Sequence, residues 1–79
     1  MKLQILTPDS LLYNADATEV IFPGVGGQFT VMENHIPFIS LLKKGELRVK
    51  STNGEHVFEI ENGVMEMNNN NITVCGNVS

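Results

Sequence analysis

An all-β chain, a small β-sandwich or flattened barrel of two antiparallel sheets with about ten short strands, is the architecture this sequence predicts. Three observations lead there. Apolar residues recur mostly at every second position, as they do on half-buried strands. Glycine, asparagine and proline interrupt the alternation at short intervals. No stretch keeps a helical period long enough to bury one face of a helix.

Residues 2–7 read as a first strand stopped by Pro8, which has no amide proton for a ladder. Residues 11–22 are less regular. Ser10 could cap a helical start at Leu11, Leu12 and Ala15, but Val20 to Phe22 before Pro23 favours an extended segment, bent or broken. Residues 28–32 alternate, with Phe29 and Val31 inward. The apolar run 38–42 fits either a buried strand or a helical turn. Residues 45–51 give the clearest alternation, Leu47 and Val49 against Glu46, Arg48 and Lys50. Residues 55–61 repeat it with His56, Phe58 and Ile60 on one side, and Asn53-Gly54 supplies the positive φ angles of a tight hairpin between the two. A second Asn-Gly, at 62–63, predicts another turn before a strand over 64–67, and Asn68 to Asn70 then lead into a strand over 71–75. The expected core is Leu3, Ile5, Val20, Phe22, Phe29, Val31, Leu47, Val49, Phe58, Ile60, Val64, Ile72 and Val74. Residues 1–79 are expected to form one domain, without repeats or linkers.

Composition narrows function. Five basic against nine acidic residues, a formal charge of -4, disfavour nucleic acid as a partner. The lone Cys75 cannot form an internal disulfide, and the start of the chain reads as neither leader nor membrane span, so the cell interior is the expected setting. Gly24, Gly26 and Gly27 do not make a phosphate loop, because no Lys-Ser/Thr step exists and Phe29 takes the final glycine place of a GxGxxG pattern. His35, His56 and Cys75 lack the spacing of a zinc site, and nothing around Ser10, Ser40 or Cys75 marks a nucleophile. A swinging-cofactor carrier needs a hairpin lysine that Val64-Met65-Glu66-Met67 lacks. The expectation is a non-enzyme without cofactor or metal. Lys43, Lys44, Arg48 and Lys50 read as a solvated sheet face, with contact to an acidic lipid or protein as the rarer reading. The tripeptides Asn71-Ile72-Thr73 and Asn77-Val78-Ser79 match the glycosylation pattern by chance.

Four stretches in order, KLQILTP, FPGVGGQFTV, NHIPFISLLKKGELRV and GVMEMNNNNITV, resemble the N-terminal domain of the epsilon subunit of F-type ATP synthases, from Lys2 to about Val74. The resemblance implies a β-sandwich that works as a noncatalytic central-stalk rotor subunit of a proton-translocating synthase. Such a subunit binds gamma through one side of the sandwich and the polar loops of the c-ring through one end, and meets alpha and beta indirectly. It further implies a peripheral place on the cytoplasmic face of the bacterial inner membrane, reached only through the ring. Family members commonly read Gly-x-Phe/Leu-Gly-Val/Ile-Leu/Tyr-Pro-Gly-His-Ala-Pro where this chain has Gly27 to Pro37. Gly27, Phe29, Val31, His35 and Pro37 carry over, Glu33 replaces a proline, and Asn34 replaces a glycine while tolerating positive φ.

By the same resemblance, the partner-binding residues are Gln28, Glu33, Asn34, His35 and Ile36. Gln28 stands where an acidic residue often lies near the ring. His35 either touches gamma or the ring, or orders its own turn. Lys43-Lys44-Gly45 matches a Lys-Pro-Gly turn and is assigned to folding. Typical epsilon subunits continue into two C-terminal helices that inhibit ATP hydrolysis, a function not expected of these 79 residues. The competing reading is an unrelated β-sandwich module that binds a protein or a small ligand along a sheet edge.

Overall fold

A computed structural model describes residues 1–78; Ser79, which completes both the expected domain and the second glycosylation tripeptide, lies outside the described residues. Eight strands follow one another: β1 (Lys2–Leu6), β2 (Leu11–Asp16), β3 (Glu19–Gly24), β4 (Gly27–Met32), β5 (Phe38–Leu42), β6 (Gly45–Ser51), β7 (Gly54–Asn68) and β8 (Asn71–Val78). They form one continuous sheet that folds over into two leaves. The first leaf is β4-β3-β6 with the start of β7, and the second is β2-β1-β8 with the end of β7 and β5. The segment 11–22 is extended and broken at Ala17-Thr18, and 38–42 resolves as a strand.

Between the leaves lies a core of Leu3, Ile5, Ala17, Val20, Phe22, Val31, Leu42, Leu47, Val49, Ile60, Met65, Met67, Ile72 and Val74. Full burial of each larger side chain contributes about 1.5–3 kcal/mol. Aromatic rings join the leaves at their margins. Tyr13 of β2 meets Phe58 of β7 edge-on at 5.3 Å, and Phe29 of β4 meets Phe38 of β5 at 5.8 Å. Phe29 and Phe58 are therefore half-buried border residues rather than members of the sealed core.

The largest departure from the predicted layout is at Asn62-Gly63, which makes no turn. β7 runs straight through it for 15 residues, so the last four predicted strands become three. Ile60 and Asn62 face Val78 and Asn77, leaving Glu61 as an extra residue, a bulge that reverses the alternation. Before it Ile60 points inward; after it Met65 and Met67 do. That reversal moves Val64 out of the core and puts the two methionines in. Gly63 is required for close approach instead: it pairs with Gly76, and a Cβ at Gly76 would strike the Asn62 carbonyl oxygen.

Two smaller differences concern pairing and turns. Every pairing is antiparallel except β1 with β8, which is parallel, because the first strand inserts between β2 and the last. The β6–β7 hairpin is where it was expected, but only Gly54 takes positive φ, at 130°, and Asn53 does not. The β7–β8 turn, by contrast, places both Asn69 and Asn70 at positive φ, 51° and 60°, as a two-residue hairpin loop of the primed kind demands.

Candidate docking surfaces

β4 carries the predicted partner-binding residues, and it separates them. Gln28 lies near its start, opposite Pro23 and beside the Lys43-Lys44 turn, in a shallow cleft that also includes Arg48. Glu33, Asn34, His35 and Ile36 lie beyond its other end. Five residues at ~3.3 Å each put Gln28 and Glu33 about 16 Å apart. The structure brings the last four together and leaves Gln28 at the opposite pole.

At the 33–37 pole the chain reverses through Asn34 at φ 64°, so asparagine holds the left-handed conformation expected of it in place of glycine. The Asn34 amide donates to Asn70 Oδ1 at 2.8 Å, and Asn70 Nδ2 donates to Asn34 Oδ1 at 3.2 Å. Glu33 accepts from the Met1 amine at 3.4 Å. His35 Nδ1 lies 3.1 Å from the Ile36 carbonyl oxygen, a contact that needs the proton on Nδ1, and its ring packs at 4.9 Å on Phe38. His35 thus has contacts within its own turn and on β5. Ile36 projects into solvent, 73% exposed.

The outer faces of the two leaves differ in chemistry. On the first, Arg48 reaches Glu46 at 3.2 Å and Glu55 at 3.4 Å, and Lys50 reaches Glu19 at 3.4 Å. Most of the predicted basic cluster is therefore neutralised by neighbouring glutamates. On the second, one cross-strand row is apolar from edge to edge: Leu41, Val64, Cys75, Leu6 and Leu11 are successive partners across β5, β7, β8, β1 and β2. Leu41 is 65% exposed and Leu11 50%. Ile39 extends the patch along β5, and Val25 joins it through a hydrogen bond from its amide to the Leu41 carbonyl. Polar residues flank the row, with Thr73, Gln4 and Asn14 on one side and the Asn62–Asn77 amide pair on the other.

None of the row was singled out from sequence. Its signal was present in 38–42, where both parities are apolar apart from Ser40, and in the Leu11-Leu12 pair; a strand with one buried face needs only one of these sets.

Ser10 bonds within the Thr7 turn and Ser40 bonds the Leu41 carbonyl. Among the described residues no group of three or more His, Cys, Asp or Glu side chains is placed to hold a metal, and no helix is long and apolar enough to cross a membrane.

Residues 1–78 match the family described as ATP synthase, Delta/Epsilon chain, beta-sandwich domain. The chain is 38% identical over 74 residues to the ATP synthase epsilon chain of Pelagibacter ubique, covering 92% of this chain and 57% of that one. Against the epsilon chain of Chlorobium limicola it is 40% identical over 70 residues, covering 87% and 80% respectively. The chain thus spans a little over half of the first relative and four-fifths of the second. A chain in the Euglena gracilis mitochondrial ATP synthase, resolved with OSCP, F1 and c-ring, shares the fold with a TM-score of 0.86 at 18% identity, over 94% of this chain and 48% of that one.

Proposed function

The chain belongs to the ATP synthase delta/epsilon β-sandwich family, and from that membership we propose that it is a noncatalytic central-stalk subunit of a proton-translocating F-type synthase, joining gamma to the c-ring. Alpha and beta are met only through gamma, and the membrane only through the ring, on the cytoplasmic face of the bacterial inner membrane. The observation that carries this reading is the apolar row Leu41, Val64, Cys75, Leu6 and Leu11. Five strands at ~4.8 Å spacing make a stripe about 19 Å long. Water disfavours such a stripe, and a protein partner that covers it gains the burial energy. Gamma is the partner assigned to it.

The separation of the two poles orients the rest. With the Gln28 pole on the polar loops of the ring, the 33–37 loop lies about 16 Å away and faces gamma. Of the two partners open to His35, gamma is the one proposed, a choice supported by the distance of the loop from the Gln28 pole. Gln28 offers hydrogen bonds without charge, and beside it Lys43 adds a positive charge while Lys44 reaches Glu61 at 3.9 Å. The packed core between the leaves makes the body stiff, so torque on one pole is delivered to the other without loss in bending.

Mixed with the cognate gamma subunit, the chain elutes as a one-to-one complex, and Leu41→Asp abolishes it while leaving the circular dichroism of the free chain unchanged. Separate elution of the wild-type chain and gamma at high concentration would overturn the proposal.

A further inference from the structure

The loop that presents His35 and Ile36 is tied from outside at two points, by the Met1 amine at Glu33 and by the Asn70 side chain at Asn34. Asn70 belongs to the tight β7–β8 turn, its backbone at φ 60° between the paired Asn68 and Asn71. Its carbonyl accepts from the Lys2 amide at 3.0 Å, so the residue is fixed to β1 as well. From that anchored position its amide group makes two opposed hydrogen bonds to Asn34, one to the backbone N–H at 2.8 Å and one to Oδ1 at 3.2 Å. Asn34 is the residue at which the loop reverses, and it immediately precedes His35.

We infer that Asn70 is a positioning residue for docking: the reciprocal Asn34–Asn70 amide pair staples the 33–37 loop to the β7–β8 hairpin and sets the direction in which His35 and Ile36 meet the partner. This rests on the reading that the loop faces gamma. The chemistry supports a positioning role over a merely stabilising one. An amide pair that donates and accepts in both directions fixes orientation as well as distance. It also joins two turns 36 residues apart that share no strand. Here Glu33 and Asn34 stand where the family resemblance expects a stiffening proline and a glycine, and the staple supplies the rigidity that the proline would give.

Glycine substitution separates the staple from the backbone conformation it accompanies, because glycine accepts positive φ at either position. In Asn70→Gly, hydrogen exchange at the Asn34 amide accelerates about tenfold, as loss of the 2.8 Å bond requires, whereas Asn34→Gly keeps that backbone donor and removes only the 3.2 Å bond to its own Oδ1. The thermal midpoint of Asn70→Gly falls by roughly 5–10 °C, the same bond read in global stability, and a purely structural role would move the midpoint without moving gamma affinity. The dissociation constant for gamma rises about five- to tenfold in Asn70→Gly, less in Asn34→Gly, and in the double variant no further than in Asn70→Gly, which already lacks both bonds. Unchanged exchange at residue 34 in Asn70→Gly overturns the staple. Faster exchange with unchanged gamma affinity overturns its docking role. If the wild-type chain fails to bind gamma, the functional reading falls, and the exchange measurement on the free chain still decides whether the staple exists.

Discussion

The two outer faces of the sandwich are built from the same alternating strands and carry opposite chemistry. On the first leaf, Arg48 sits between Glu46 and Glu55, and Lys50 pairs with Glu19, so each of these cations has its counter-charge on a neighbouring strand or two residues away. Water completes such a surface, and exposed pairs of this kind contribute at most about 1 kcal/mol each. On the second leaf, the row from Leu41 to Leu11 has no counterpart within the chain. The difference supports the proposal that the second leaf, and not the first, meets the partner. It also shows why charge counting alone misleads: the basic cluster that stands out in sequence is the satisfied part, and the apolar row that does not stand out is the unsatisfied one.

The bulge at Glu61 creates the contrast, because it turns Val64 outward into the row, and removing it is the strongest way to break the comparison. In Gly76→Ala the new methyl meets the Asn62 carbonyl, so the domain loses about 3 kcal/mol of stability. Thermal denaturation then shows a midpoint lower by roughly 15 °C. Next in size, Leu41→Asp places a charge at the β5 end of the proposed interface and raises the gamma dissociation constant about 30- to 100-fold, read by titration calorimetry. The midpoint of the free chain is unchanged, because Leu41 is already exposed. Ile39→Ser, at the margin of the row, weakens the same association about three- to tenfold. The smallest effect falls on the first leaf: Arg48→Ala changes stability by less than about 0.5 kcal/mol in denaturant titration and leaves gamma affinity unaltered. A loss of gamma binding in Arg48→Ala equal to that in Leu41→Asp would reverse the assignment of the two faces.

Much of the fold was legible because alternation is a local property. β6, with Leu47 and Val49 buried between Glu46, Arg48 and Lys50, follows directly from it. The dipeptide Asn-Gly illustrates the limit. At 53–54 it ends a hairpin; at 62–63 it lies inside a 15-residue strand. The two are alike in sequence, and only the second glycine has Gly76 across the ladder, a tertiary fact that local chemistry does not contain. The misplacing of Val64 follows from the same cause, since one extra residue inverts every position after it. The parallel pairing of β1 with β8 was equally out of reach, as it joins the two most distant strands of the chain.

For the candidate site, the asparagine at 34 was readable as a left-handed turn residue, and it is one. Its partner Asn70 was not, because nothing in a run of four asparagines marks which one reaches across 36 residues. The separation of Gln28 from Glu33–Ile36 was within reach, since a strand over 28–32 already implies opposite poles.

The parallel seating of β1 also bears on biogenesis. Leu6 is translated early, yet its neighbour Cys75 leaves the ribosome about 70 residues later, on the order of 4–14 s at ~5–20 residues per second. Until then β1 has only its β2 hairpin, and the apolar row across the second leaf is incomplete. A nascent chain that has not yet reached β8 therefore lacks the apolar row proposed here for gamma.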